Sequence, residues 1–150
     1  MNMPIDPTQL SGEDIGEQRV TLEMDHDAAI DVVRTTCMAE GFGVPVEFSP
    51  SELLNEKVGA DRDPYYVLGA CNPSMANRAL AETQDIGALF PCNIIIRELE
   101  PGVQEVYHVS IMRIARLLGI APDSEEWADI IGETGALVDA TFSALAEQSD

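Results

Sequence analysis

Lysine is almost missing from this chain. Lys57 is the only one, and with seven arginines it faces 27 acidic side chains, for a formal charge of −19 over 150 residues. Duplex nucleic acid and anionic membrane surfaces are held by Lys and Arg neutralising phosphates. A chain with no basic stripe is excluded from both classes. Also missing is an apolar run of the roughly 20 residues that a spanning helix needs. There is no basic start followed by an apolar stretch of the secretory kind either. The sequence therefore predicts a cytoplasmic protein. Cysteine is scarce, with three residues, and an odd number in a reducing compartment is no disulfide framework.

The motif inventory is equally thin. No Cys-x-x-Cys occurs, and His26 and His108 are the only histidines, so the four-ligand spacing of a structural zinc is absent. No hydrolase nucleophile motif and no glycine-rich phosphate loop appear. Gly41-Phe42-Gly43 reads as a helix stop rather than a dinucleotide fingerprint. No particular reaction is legible. Thiol chemistry is the one route to an enzyme that these residues leave open.

What is present is a core. A hydrophobic fraction of 45% over this length fits one domain. Met1–Gln18 holds acids, prolines and glycines but no base, and reads as a solvated acidic tail, leaving 19–147 as a single domain. Abundant acid with almost no lysine fits a salt-loaded cytoplasm, so a halophilic chain is expected.

Arg19–Met24 reads as a strand, followed by a helix from Asp25 or Asp27 to Glu40, with Ala29, Val33, Thr36 and Cys37 on its apolar face. Phe42–Phe48 alternates as a strand. Ser49-Pro50-Ser51-Glu52 is a capping box with proline at the first helical position. Tyr65–Cys71 is an apolar strand, and Asn72-Pro73 opens a helix to about Thr83. Cys92–Leu99 follows, its three consecutive isoleucines consistent with cover on both faces. Pro101-Gly102 turns it into Val103–Ser110, and a short helix spans Ile111–Leu118. Asp123, with Glu126 three residues on, caps a long amphipathic helix whose apolar positions run from Trp127 to Leu145. The order strand, helix, four strands with helical insertions, helix predicts an α+β fold: a mainly antiparallel sheet with helices on one face.

Two sulfurs stand where chemistry is available. Cys71 ends a strand immediately before the helix at Pro73, and a helix amino terminus favours a thiolate. Cys92 begins the next long strand. Antiparallel strands put the two cysteines at one edge of the sheet, whereas a parallel crossover puts them at opposite ends. Spacing alone leaves both open. Single free cysteines more often fill space than react, and Cys37 is assigned to the core. Soft thiolates select zinc or copper(I), with His108 as a weak additional ligand, or they react with a sulfur species. Asn72 and Asn93, each directly after a cysteine, are candidates to orient a ligand. Lys57 near a helix end reads as a solvated charge, with a binding role the weaker alternative. The rival reading keeps both cysteines structural and puts a small ligand between the sheet and the long helix.

Leu68-Gly69-Ala70-Cys71-Asn72-Pro73 and Leu89-Phe90-Pro91-Cys92-Asn93-Ile94, with Lys57, Gly59, Pro64 and Tyr65 upstream, resemble the domain of unknown function family 302 over roughly Val20 to Leu145. The resemblance implies a fold similar to the TATA-binding-protein-like class and a homodimer. It implies no activity.

Self-repulsion at −19 should make folding depend on salt. The Debye length falls from about 30 Å at about 0.01 M salt to about 3 Å at 1 M. The melting temperature should therefore rise steeply between those conditions. A flat response measured by thermal unfolding rejects the halophilic reading.

Overall fold

The computed structural model describes residues 6–148; the first five residues of the expected tail lie outside them. Five strands form one sheet in the order β1-β5-β4-β3-β2, with every neighbouring pair antiparallel. They are β1 (Gln18–Leu22), β2 (Gly43–Phe48), β3 (Tyr65–Cys71), β4 (Cys92–Glu100) and β5 (Val103–His108). The helices are α1 (His26–Ala39), α2 (Pro50–Val58), α3 (Pro73–Glu82), α4 (Ile111–Leu117) and α5 (Glu125–Glu147), with a 3₁₀ segment at Gln84–Leu89. The α+β plan read from the sequence is the fold. No helix among the described residues is long and apolar enough to cross a membrane.

Local chemistry sets most helix starts. Ser49 accepts from the Glu52 amide, and Asn72 accepts from the Met75 amide at 3.0 Å. These satisfy backbone donors that a first turn leaves orphaned. One cap differs from expectation. Ser124, not Asp123, caps α5 by accepting from the Trp127 amide. A hydroxyl one residue nearer reaches that amide, so the aspartate stays outside the helix.

Alternation along the strands divides the sheet. Leu22, Leu68, Ile94, Ile96 and Val106 face α1 and α5 in one buried cluster, joined by Ala29, Val33 and Cys37 from α1 and Phe142 and Leu145 from α5. The isoleucine run is not covered on both faces. Ile94 and Ile96 are buried, while Ile95 is only half-buried on the opposite face, which also carries exposed Val46 and Phe48 two strands away on β2. A register shift between Gly43 and Val46 interrupts the expected regular alternation of β2.

A second cluster lies off the end of the sheet. Ala79 of α3, Ile86 of the 3₁₀ segment, Met112 and Ala115 of α4, and Trp127 and Ile130 of α5 pack together there. Trp127 Nε1–H donates to the Met112 carbonyl at 2.9 Å, locking α4 onto α5. Arg78 ties α3 to α5 by pairing with Glu126 and Glu133.

Helix α5 is therefore shared by both clusters, with its first half in one and its second half in the other. Phe142 is 5% exposed within the sheet-facing cluster. Truncation of Phe142 to Ala should cost about 3–5 kcal/mol in denaturant unfolding. A loss under about 1 kcal/mol would mean that the site collapses to fill the hole, or that this half of α5 adds little.

Candidate functional site

The β3–β4 pairing runs Tyr65 opposite Arg97 through to Ala70 opposite Cys92. This settles the alternative that spacing left open: Cys71 and Cys92 are at the same end of the sheet. Gln18 of β1, Gly43 of β2 and His108 of β5 end there too, because every pair is antiparallel. Where the sheet stops, a cavity of about 560 Å³ opens between the two core clusters. Phe42, Ala70 and Val138 form the wall on one side, and Phe90, Ile111 and Met112 on the other.

Two glycines shape this space. A Cβ on Gly69 would lie 2.5 Å from Pro91 Cγ, so only glycine lets the Phe90-Pro91 segment close down on β3. Gly135, in the middle of α5, lines the cavity, and a Cβ there would meet nothing within 4 Å. Glycine inside a helix costs about 1 kcal/mol relative to alanine. Packing demands it neither at Gly135 nor at Gly132 three residues earlier, and of the two only Gly135 borders the cavity.

Part of the segment read as a tail borders the same space. The Ser110 amide donates to the Ile15 carbonyl at 2.7 Å, and Gln18 donates to the Asp139 carboxylate of α5. Glu13, Gly16 and Glu17 line the cavity through the turn these bonds hold. Exposed Glu13 and Asp139 mark its rim, with Glu17 and Arg113 half-buried beside them. Glu17 is paired with Arg19 at 2.8 Å, whereas Arg113 makes no ion pair among the described residues.

Both candidate cysteines line this wall as free thiols, half-buried at the strand ends. Burial, and secondarily the adjacent Cys71, push the Cys92 thiol up to about 12. At neutral pH it is therefore protonated. Cys37 is buried under the sheet as expected, and its thiol is pushed up to about 11 by desolvation. Among the described residues no three of His, Cys, Asp and Glu come together as metal ligands, so Cys71, Cys92 and His108 do not form a zinc site within one chain.

The other candidates separate. Asn72 lines the cavity, but its side chain is occupied: it caps α3 and donates to the Gly41 carbonyl at 2.9 Å. Asn93 is exposed and enters only through its backbone carbonyl. Lys57 lies on α2 with its side chain 67% exposed beside Glu56, outside the cavity wall.

His108, read from sequence as a weak metal ligand, is the best-defined polar group in the cavity. It is 3% exposed, and its Nδ1 lies 2.8 Å from the Asn93 carbonyl. A carbonyl only accepts, so Nδ1 carries the proton and Nε2 is left with a lone pair. Among the described residues Nε2 has no hydrogen-bond partner, and no buried side-chain nitrogen or oxygen is unsatisfied. Nε2 therefore opens onto the cavity that His108 lines. Alternation in β5 places His108 on the core face, but no sequence signal reports the Asn93 bond. Nor does sequence signal Arg113, Gly135 or the Glu13–Glu17 turn.

The model of the family described as "Domain of unknown function DUF302" matches residues 18–145. A crystal structure of an uncharacterized conserved DUF302 protein from Bacillus stearothermophilus superposes with a TM-score of 0.70 at 23% identity, covering 91% of this chain and 99% of that one. That likeness is one of fold. No functionally curated protein matches the chain.

Burial holds the His108 pKa below its ordinary value of 6.5. As pH falls through that value, the unfolded chain takes up a proton that the folded protein refuses, so this residue's contribution to stability is lost toward acid. Wild type should therefore lose more stability than His108→Phe between pH 7 and pH 5. Parallel losses in denaturant titrations at the two pH values would place the His108 ring in water.

Proposed function

The chain belongs to the DUF302 family, and on that premise we propose that it is a small-ligand-binding domain whose ligand lies at the end of the sheet, against α5. One observation carries this reading: a cavity of about 560 Å³ lies at the end of the sheet, bordered in the middle of α5 by Gly135, where a Cβ would meet nothing within 4 Å. Ligand sites are typically concave and mostly apolar, with a few fixed polar groups. A volume of about 560 Å³ falls in the usual range of roughly 300–1,000 Å³.

A second reading retains thiol chemistry, because Cys71 and Cys92 share the cavity wall. They would hold a soft metal or a sulfur species, or cycle between dithiol and disulfide. Metal ligation and nucleophilic attack both need a thiolate. A Cys92 thiol protonated at neutral pH is a poor nucleophile, which leaves Cys71 for that role, whereas a soft metal would displace the proton on binding. Both readings use the same pocket, and an occupant would cover the same sulfurs.

Replacing Gly135 with Leu should fill the cavity while leaving the fold intact or stabilised. A calorimetric screen of apolar small molecules against wild type and Gly135→Leu checks this. Binding that survives in the variant means the molecules sit elsewhere. Thiol labelling of the native protein separates the two readings: Cys71 should be alkylated well before Cys92 and Cys37. If all three label only after unfolding, thiol chemistry has no role.

A further inference from the structure

The polar groups around the cavity restrict what it can accept, an argument that rests on the ligand-binding reading above. At its base stands His108, nine-tenths and more buried, its Nδ1–H spent on the Asn93 carbonyl and its Nε2 lone pair open to the cavity. An acceptor that opens onto the cavity with no donor from the protein is left to water or to a ligand that brings a donor, and an apolar ligand group set against it forfeits that bond. Nothing opposite Nε2 supplies that donor from the protein, since Nε2 has no partner among the described residues. Cys92, on the same wall, is uncharged at neutral pH.

The rim points the same way. Glu13, Glu17 and Asp139 line the cavity against a single cation, Arg113. Glu17 is engaged by Arg19 and Asp139 by Gln18, but Glu13 remains. The whole chain carries −19. An anionic ligand would meet a lone-pair acceptor inside and a repulsive field on approach, with Arg113 the one cation at the rim to offset them.

We propose that the cavity selects an uncharged or cationic molecule with an apolar body and a hydrogen-bond donor, such as an alcohol, phenol or amine, that His108 Nε2 reads the donor, and that the corresponding carboxylate is rejected. Polar recognition of this kind discriminates more sharply than an added methylene does, because the wrong ligand leaves a buried group unpaired.

Four probes with one apolar body test this: naphthalene, 1-naphthol, 1-naphthylmethylamine and 1-naphthoate, titrated calorimetrically against the full chain at neutral pH. The naphthol and the amine should bind about tenfold more tightly than the carboxylate. In His108→Phe the naphthol should fall to the level of naphthalene, whose own binding should persist and so report that the variant is folded. Naphthoate binding as tightly as naphthol overturns the proposal. So does a naphthol advantage that survives in His108→Phe. If naphthalene fails to bind wild type, or binds Gly135→Leu equally well, the cavity reading beneath the proposal fails, and the proposal with it.

Discussion

Antiparallel pairing of β3 with β4 constrains everything at one end of this molecule. The chain leaves β3 at Cys71 and must re-enter beside it at Cys92, so the connection cannot cross the sheet. Its helix α3 and 3₁₀ segment carry apolar faces that still have to be buried. They bury them against α4 and the first half of α5, beyond the sheet's edge, rather than on its face. A seam between two separately packed clusters follows from that geometry, and the cavity is the seam. Cys71, Cys92 and His108 border it because they are strand-end residues and the seam lies where the strands stop.

Helix α5 crosses the seam and has to serve both clusters. Trp127 and Ile130 anchor one end and Phe142 and Leu145 the other, while Gly135 sits between them. Dense packing along its whole length would remove the cavity and favour the folded state. A glycine in the unpacked middle does the opposite, giving up helix stability of about 1 kcal/mol. Gly132, exposed on the same helix, gives up as much, but only at Gly135, on the cavity wall, does the choice disagree with the global demand for packing. Such disagreements concentrate at sites of function.

Legibility in the sequence followed the range of the physics involved. Ser49, Pro50 and Glu52, or Asn72 and Pro73, act within one helical turn, so residue type alone locates those helix starts. Asp123 failed as the α5 cap because Ser124, one position on, offers an equally good acceptor, and backbone geometry rather than composition chose between them. The topology of Cys71 and Cys92 depended on whether the intervening helix crosses the sheet, and that helix is held by contacts to α5 such as Arg78 with Glu126 and Glu133, 48 and 55 residues downstream. Family likeness pointed to those two cysteines, yet not to the cavity they share. His108 was visible only as an alternating strand residue. Its meaning depends on a bond to the Asn93 carbonyl, which exists only once β4 and β5 are in register.

Charge is distributed with equal consequence. The surface accumulates carboxylates, and its arginines are largely spent on them: Arg34 on Asp31 and Glu47, Arg78 on Glu126 and Glu133, Arg97 on Glu105. Exposed pairs of this sort add little stability individually, but they leave few cations free to neutralise anything that enters the cavity. Inside, desolvation works against every ionised form. It keeps the Cys92 proton on and the His108 proton off. Both effects favour neutral groups, but of unequal hydrogen-bonding strength: a thiol that is weak both as donor and as acceptor, and an imidazole nitrogen that can only accept. Of the two, the imidazole makes the stronger bond, so it rather than the sulfur sets what the cavity holds best. The cysteines first draw the eye in the sequence, but the nitrogen two strands away from Cys71 governs the chemistry of the space they border.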